Sequence, residues 1–157
     1  MTLKRKILLG LVTGFVAIQF IQPAHNKSDK MLPTDIINVV TVPNQVLNLL
    51  KNSCYDCHSN NTLYSWYSFV QPGAWWMASH IRKGKGNLNF SDFGTYSNRK
   101  QQSKLQAIAN SINDNTMPIG SYILLHKNAR LSAENKEVLL DWVKATKDNL
   151  SQKNELQ

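Results

Sequence analysis

The sequence predicts an all-α domain, and three observations support this. Three stretches carry apolar residues at i, i+3 and i+4, the spacing of one helix face. They contain Val46, Leu49 and Leu50; Leu105, Ile108, Ala109 and Ile112; and Leu139, Trp142 and Val143. No pair of alternating segments indicates a sheet. The connections are long for a small domain, which predicts that something besides side chains fills part of the core.

Residues 1–25 resemble an export signal. Lys4-Arg5-Lys6 forms a positively charged start, and residues 7–21 are apolar apart from Thr13 and Gln19. The apolar run is shorter than the about 17–25 residues of a membrane-spanning helix, which suits a cleavable signal peptide. No Ala-x-Ala cleavage site follows, which favours an uncleaved signal anchor. In either case the remainder of the chain crosses the membrane.

Four helices are expected after this segment. Residues 26–41 are predicted to be a tether and an extended segment, because residues 36–42 are rich in β-branched side chains. One helix begins near Pro43 and leads into Cys54, and a short one covers residues 75–82 before an irregular loop at Gly84 and Gly86. Ser103 is the expected N-cap of the third helix, and the fourth covers residues 132–147. The domain is therefore placed at residues 42–148, with a frayed polar tail at 149–157.

The chain is basic and has only two cysteines. Its formal net charge is +8, and three positive charges lie in the N-terminal segment. The basic residues are scattered and no nucleic-acid-binding motif accompanies them, so we expect no nucleic-acid partner. A basic surface suits an acidic redox partner or anionic lipid headgroups, although ordinary solubility is the simpler explanation of the charge.

The most informative motif is Cys54-Tyr55-Asp56-Cys57-His58. It has the form Cys-x-x-Cys-His, the attachment signature of c-type haem. On a short helical turn, each thiol can form a thioether with one haem vinyl group, and His58 follows directly to supply an imidazole to the iron. A thioredoxin-like redox pair would require a βαβ context, and a zinc site would require about four ligands. We therefore predict one covalent haem c, bound by Cys54, Cys57 and His58.

Two residues are candidates for the second axial ligand of the iron. Met117 precedes Pro118, which restrains it towards extended conformations between two amphipathic helices. Its sulfur would raise the reduction potential, whereas His80 would supply a second imidazole and lower it. Met117 is the preferred ligand and His80 the alternative, and the simpler roles of core methionine and hydrogen-bonded histidine remain open. His126 is interpreted as a structural or surface residue.

Aromatic residues follow the motif closely and are expected to pack near the haem. Trp66, Tyr67 and Trp76 are the predicted contacts, and an aromatic core without haem contact is the alternative. The basic residues in the range 82–85 suit a pairing with haem propionates. A solvated charged loop is the simpler interpretation of them.

The order of these features resembles a known family. An amphipathic helix, Cys-x-x-Cys-His, a middle helix, Met-Pro and a C-terminal helix with a central Trp are arranged as in class I cytochrome c. The features that resemble a family of bacterial haem-binding domains are residues 55–60, 64–67, 75–80 and 88–91, Met117-Pro118, Tyr122, His126, residues 131–132 and Trp142. The resemblance covers residues 42–145 and implies haem c in a cytochrome c-like fold. Ser65 replaces a proline frequent in the family, and residues 75–96 have no counterpart in minimal class I cytochromes.

The leading functional hypothesis is a single-haem electron carrier on the outer (periplasmic) side of the cytoplasmic membrane, either anchored or exported. No acid/base pair accompanies the motif, so we do not expect an enzyme. The alternative is a haem-based gas or redox sensor, or a peroxidase-like enzyme, with an open distal site in which His80 handles protons. A third hypothesis is an interaction module whose haem is mainly structural. Redox proteins and the membrane are the expected partners.

Overall fold

The computed structural model describes residues 2–28 and 30–155, and this part of the chain is helical without a strand. The one ladder contact there is an isolated antiparallel bridge between Lys27 and Asn61. The helices are α1 (Leu3–Ile18), α2 (Ile36–Val39), α3 (Asn44–Ser53), α4 (Tyr55–His58), α5 (Gly73–Asn87), α6 (Asn98–Asn113), α7 (Gly120–Leu125) and α8 (Ala133–Glu155). Short 3-10 turns occupy Trp66–Phe69, Phe90–Thr95 and Lys127–Ala129. The all-α prediction is confirmed.

The core forms where α6 and α3 pack against α8. Each of the three predicted apolar faces contributes to it. Buried side chains in this core include Val46 and Leu50 of α3, Leu105 and Ile112 of α6, and Leu139, Trp142 and Val143 of α8. Trp142 also donates its indole N–H to the carbonyl oxygen of Thr41 at 3.0 Å. Burial of these apolar faces is the main stabilising contribution to the helix packing.

Helix α4 carries the cysteine motif and lies against α5. The expected short helix at residues 75–82 is longer in the structure and extends to Asn87, so the prediction of a loop at Gly84 was wrong. A Cβ atom at position 84 would lie 2.5 Å from the carbonyl oxygen of Cys57. Gly84 is therefore a close-approach residue inside a helix, and its missing side chain lets the two helices touch.

Four other features differ from the predictions. Ile36–Val39 form a helix instead of an extended segment, because Asp35 Oδ1 accepts a hydrogen bond from the Ile37 N–H at 3.3 Å and caps it. Helix α6 begins at Asn98, before the expected Ser103, and α7 was not predicted. Helix α8 continues to Glu155 through most of the predicted polar tail, and Asn98 donates its side-chain N–H to the Leu150 carbonyl oxygen at 2.8 Å. Leu156 and Gln157 lie outside the described residues.

The N-terminal segment combines an exposed helix with a linker that contacts the domain. Helix α1 has no buried residue. Within residues 2–28 and 30–155, no helix combines the length and apolar character needed to cross a membrane. The predicted tether is held to the domain, since the Asn26 side chain donates to the Ser59 carbonyl oxygen at 2.8 Å and to Thr62 Oγ1 at 2.9 Å. Met1 and Asp29, which fall in the predicted signal and tether, are outside the described residues.

Alanine substitutions at the two glycines of α5 test the contact between α4 and α5. We expect Gly84→Ala to destabilise the haem-loaded protein by about 1–3 kcal/mol, because its methyl group would overlap the backbone of Cys57. Gly86→Ala is the matched control, since nothing lies within 4 Å of a Cβ atom there. The control should stabilise the helix by about 0.5–1 kcal/mol. Thermal unfolding measures both variants, and equal melting temperatures would contradict the proposed contact.

Candidate functional site

The two cysteines of the motif lie at and beyond the junction of α3 and α4. Cys54 joins the helices and Cys57 lies within α4, and both thiols are free. Burial, followed by the negative charge of an ionised Cys57, raises the pKa of Cys54 to about 12. Burial, followed by the charge of Asp56, raises the pKa of Cys57 to about 11. Both groups are therefore protonated thiols at neutral pH, and their thiolate reactivity is suppressed.

His58 is oriented by the end of α5. Its Nδ1 lies 3.0 Å from the carbonyl oxygen of Leu88, an acceptor, so the ring proton belongs on Nδ1. This tautomer leaves the Nε2 lone pair free to bind a metal. Burial lowers the pKa of His58, which favours the neutral imidazole that a metal requires.

Two cavities meet at His58. The first, the aliphatic cavity, has a volume of about 330 Å³ and is lined by apolar side chains that include Leu50, Leu88, Phe90, Ile108, Ile112 and Leu139. The second, the motif cavity, has a volume of about 280 Å³ and includes Cys57, His80, Gly84 and Tyr122 in its lining. Cys54, His58 and Met117 line both cavities. His58 thus belongs to a site with one apolar and one more polar part.

Asp56 connects the motif to distant parts of the chain. Its side chain is 7 % exposed. One carboxylate oxygen accepts the Leu63 N–H at 2.9 Å, and the other accepts the Tyr122 hydroxyl at 2.7 Å. Burial and this carboxylate raise the pKa of Tyr122. The sequence analysis did not predict the pairing of Asp56 with Tyr122. The one signal was the position of Asp56 between the two cysteines, because a carboxylate that is buried there requires hydrogen-bond donors.

The structure brings both candidate sixth ligands to the motif cavity. Met117 is 42 % exposed and contributes to both cavities, whereas His80 lines the motif cavity alone. His80 Nδ1 lies 3.0 Å from the Trp76 carbonyl oxygen, which leaves its Nε2 free in the same way as in His58. The choice between these ligands stays a prediction.

The aromatic residues predicted to touch a haem have other neighbours in the structure, and their contact with haem stays a prediction. Trp66 is 79 % exposed, and Trp76 packs on the His80 ring at 4.2 Å between centroids. The Tyr67 hydroxyl lies 3.1 Å from Nε2 of His126. None of the three lines the aliphatic or the motif cavity. The aromatic residues that do so are Phe90, in the aliphatic cavity, and Tyr122, in the motif cavity. Neither was among the predicted haem contacts, because an aromatic residue type alone does not show which neighbours a ring has in the fold.

The basic residues of α5 point to more than one surface. Lys83 lines the motif cavity, whereas Lys85 donates to Asn26 Oδ1 at 2.7 Å. Arg82 and Lys85 line a separate cavity near His25. Among these basic residues, Lys83 is therefore the one that the structure brings to the site.

Comparison with protein families identifies the chain. A family model described as "Haem-binding domain" matches residues 13–145. The chain belongs to this haem-binding domain family. Comparisons with curated proteins and with solved structures give no match.

The site of this haem-binding domain fits a haem. A haem requires an apolar surface for its ring and an axial ligand for its iron. The aliphatic cavity offers the first, and the free Nε2 of a neutral His58 offers the second. The more polar motif cavity, with Lys83 in its lining, suits polar ring substituents. The haem family and the geometry of the site therefore agree.

The hydrogen bond between Tyr122 and Asp56 predicts a pH-dependent stability. We expect Tyr122→Phe to lower the free energy of unfolding of the haem-loaded protein by about 1–3 kcal/mol at pH 7, because a buried carboxylate oxygen loses its donor. The pKa of Tyr122 is raised in the folded state, so its contribution is complete below the unfolded pKa of about 10 and is lost above it. The difference between wild type and variant should therefore shrink when denaturant unfolding is repeated at about pH 11.

A double-mutant cycle with Asp56→Asn is the control for this prediction. In the Asp56→Asn background, Tyr122→Phe should cost much less than it does alone, since the charged acceptor is gone. An unchanged cost in that background, or a difference that does not shrink at high pH, would contradict the assigned bond.

Proposed function

We propose that this haem-binding domain holds one haem covalently, as haem c, and acts as a single-haem electron carrier. The observation that carries the proposal is the orientation of His58, whose Nδ1 is bound to the Leu88 carbonyl oxygen and whose Nε2 is free beside two thiols. Imidazole ligands of metals are commonly fixed by such a partner on the other ring nitrogen. The conclusion agrees with the Cys-x-x-Cys-His signature of haem attachment.

Four residues of the chain would hold the haem. The thiols of Cys54 and Cys57 would hold the haem through thioether bonds, and His58 and Met117 would bind its iron. When bound, haem supplies an iron that gains and loses one electron. The protein sets the potential through the axial ligands and burial, and a methionine ligand gives a higher potential than a second histidine.

The arrangement of α3 and α8 supports a likeness to class I cytochrome c. These helices pack together, and Leu50 of α3 and Leu139 of α8 both line the aliphatic cavity. Helices from the start and end of the domain thus meet beside the proposed haem, as the resemblance implies.

The polar groups of the site support a carrier rather than an enzyme. Both oxygens of Asp56, the acidic residue in the lining of the motif cavity, accept hydrogen bonds inside the protein. This leaves the carboxylate poorly placed to serve as a general base. The competing function is a gas or redox sensor, or a peroxidase-like enzyme. The half-exposed Met117 favours it, because a ligand that leaves the iron would open a position beside His80.

The proposed location is the outer side of the cytoplasmic membrane. The positive Lys4-Arg5-Lys6 and the exposed apolar surface of α1 support an export signal or signal anchor at residues 1–25. Redox proteins are the proposed partners, and the basic net charge of +8 favours acidic ones.

Covalent attachment predicts that haem stays with the unfolded chain. In wild-type protein denatured in detergent, haem should migrate with the polypeptide and add one haem mass to it. The double variant Cys54→Ser/Cys57→Ser should lose all haem under the same conditions, and each single variant should retain one bond. Mass spectrometry of the denatured chains checks this. Wild-type protein that releases its haem on denaturation would contradict attachment through the cysteines.

Axial ligation predicts a spectroscopic difference between two variants. The oxidised protein should show a weak long-wavelength iron–thioether absorption band. That band should be absent in Met117→Ala and retained in His80→Ala. A band lost in neither variant, or a low-spin spectrum without the band in wild type, would reject Met117 as the ligand. A high-spin spectrum would favour the sensor or enzyme with an open iron site.

A further inference from the structure

The third cavity at this site has a volume of about 500 Å³ and shares Asp56 and Tyr122 with the motif cavity. Asp56 and Tyr122 line both cavities, so the hydrogen bond between them forms the shared wall. We call the third cavity the docking groove and define it by Leu63, Leu124, Leu125, Lys51 and Lys127, which are part of its lining. It adjoins the Cys-x-x-Cys-His motif through Asp56, one of the motif's own residues.

The leucines of the docking groove are unusually exposed. Leu63 is 79 % exposed, Leu124 is 78 % exposed and Leu125 is 58 % exposed. Exposed apolar area is unfavourable in water. Several large aliphatic side chains around one concave surface are typical of an interaction site rather than of ordinary surface.

The charges of the docking groove indicate the kind of partner. Its charged lining residues are Lys51, Lys127 and Asp56. The Asp56 carboxylate is buried and accepts two internal hydrogen bonds, so it presents little free negative charge to a partner. The exposed Lys51 and Lys127 give the groove a positive rim around an apolar centre. Such a surface attracts a negatively charged partner and then buries apolar contacts.

We propose that the docking groove binds an acidic redox protein and that electrons pass to or from the haem beside Asp56 and Tyr122. This rests on the proposed function and adds the surface and the chemical class of the partner to it. In the forward reaction one electron leaves the donor protein and the haem iron gains it, so the donor is oxidised by one electron and the iron is reduced. No other co-reactant is required.

An acidic flavodoxin is a suitable probe, because its fully reduced form is a strong one-electron donor and its surface is negative. With haem-loaded full-length protein, we expect Lys127→Glu to lower both the affinity for oxidised flavodoxin and the second-order rate of reduction by reduced flavodoxin, by about tenfold at low salt. The effect should fade at high salt, because salt screens the charges. Lys144→Glu, an equal charge change at an exposed position of α8 outside the groove, is the matched control and should change both quantities much less.

The apolar part of the groove is tested separately. Leu124→Gln should weaken flavodoxin binding about fivefold at both salt concentrations, since it removes buried apolar contact. Met31→Gln, at a position that is 64 % exposed outside the groove, should have no such effect. Calorimetry measures binding without any electron transfer. Dithionite should reduce the haem of every variant equally, which shows that the substitutions leave the haem itself intact.

Two outcomes would overturn the docking groove. The first is equal affinity and equal rate for Lys127→Glu and Lys144→Glu. The second is a Leu124→Gln variant that binds flavodoxin as wild type does but no longer binds vesicles of anionic phospholipid. That result would make the groove a lipid-facing surface. Failure of the carrier function itself would appear differently, as a high-spin iron that binds carbon monoxide, while calorimetry would still report on the groove.

Discussion

The buried carboxylate of Asp56 is the group on which the rest of the site depends. A charge that is removed from water costs several kcal/mol unless hydrogen-bond donors compensate for it. Two donors do so, the backbone N–H of Leu63 and the hydroxyl of Tyr122. The loop after the motif and helix α7 are therefore held against α4, and the carboxylate forms the wall between the motif cavity and the docking groove.

Helix α5 supports the motif from another side. Gly84 allows the backbone of Cys57 to approach closely, and the Leu88 carbonyl oxygen just beyond the helix accepts a hydrogen bond from the Nδ1–H of His58. These contacts act on neighbouring residues of one short helix, so the orientation of the imidazole is set by the protein alone. Burial raises the pKa of both thiols and lowers the pKa of His58, which favours protonated thiols and a neutral imidazole. The motif is thus arranged for binding by contacts that its own five residues could not provide.

Much of the fold could be predicted from the sequence. Helices α3, α6 and α8 were found because each buries a continuous apolar face, which leaves a periodic pattern. Ile36–Val39 were misjudged because local propensity favours strand there, whereas the Asp35 cap and the buried Ile36 favour a helical turn. Gly84 and Gly86 also led to the prediction of a loop, because glycine has a low helix propensity. Tertiary contact with Cys57, rather than backbone preference, explains the glycine at position 84.

The sequence likewise predicts some residues of the candidate site and not others. The motif spacing identified Cys54, Cys57 and His58, because covalent chemistry requires those residues to be neighbours in sequence. The supporting contacts join residues far apart, such as Asp56 with Tyr122 and His58 with Leu88, and no local pattern encodes them. The aromatic residues were selected by type. Trp66 instead lies at the surface and lines neither cavity, and its residue type gave no sign of this position.

Haem binding at the proposed site depends most directly on the protonation and orientation of the His58 ring. Nuclear magnetic resonance of the reduced, haem-loaded protein with ¹⁵N-labelled histidine can locate the ring proton and the iron-bound nitrogen. We expect the proton on Nδ1, protected from exchange by the Leu88 carbonyl oxygen, and the iron on Nε2. A ring bound to iron through Nδ1, or a His58 that does not bind iron, would contradict the account.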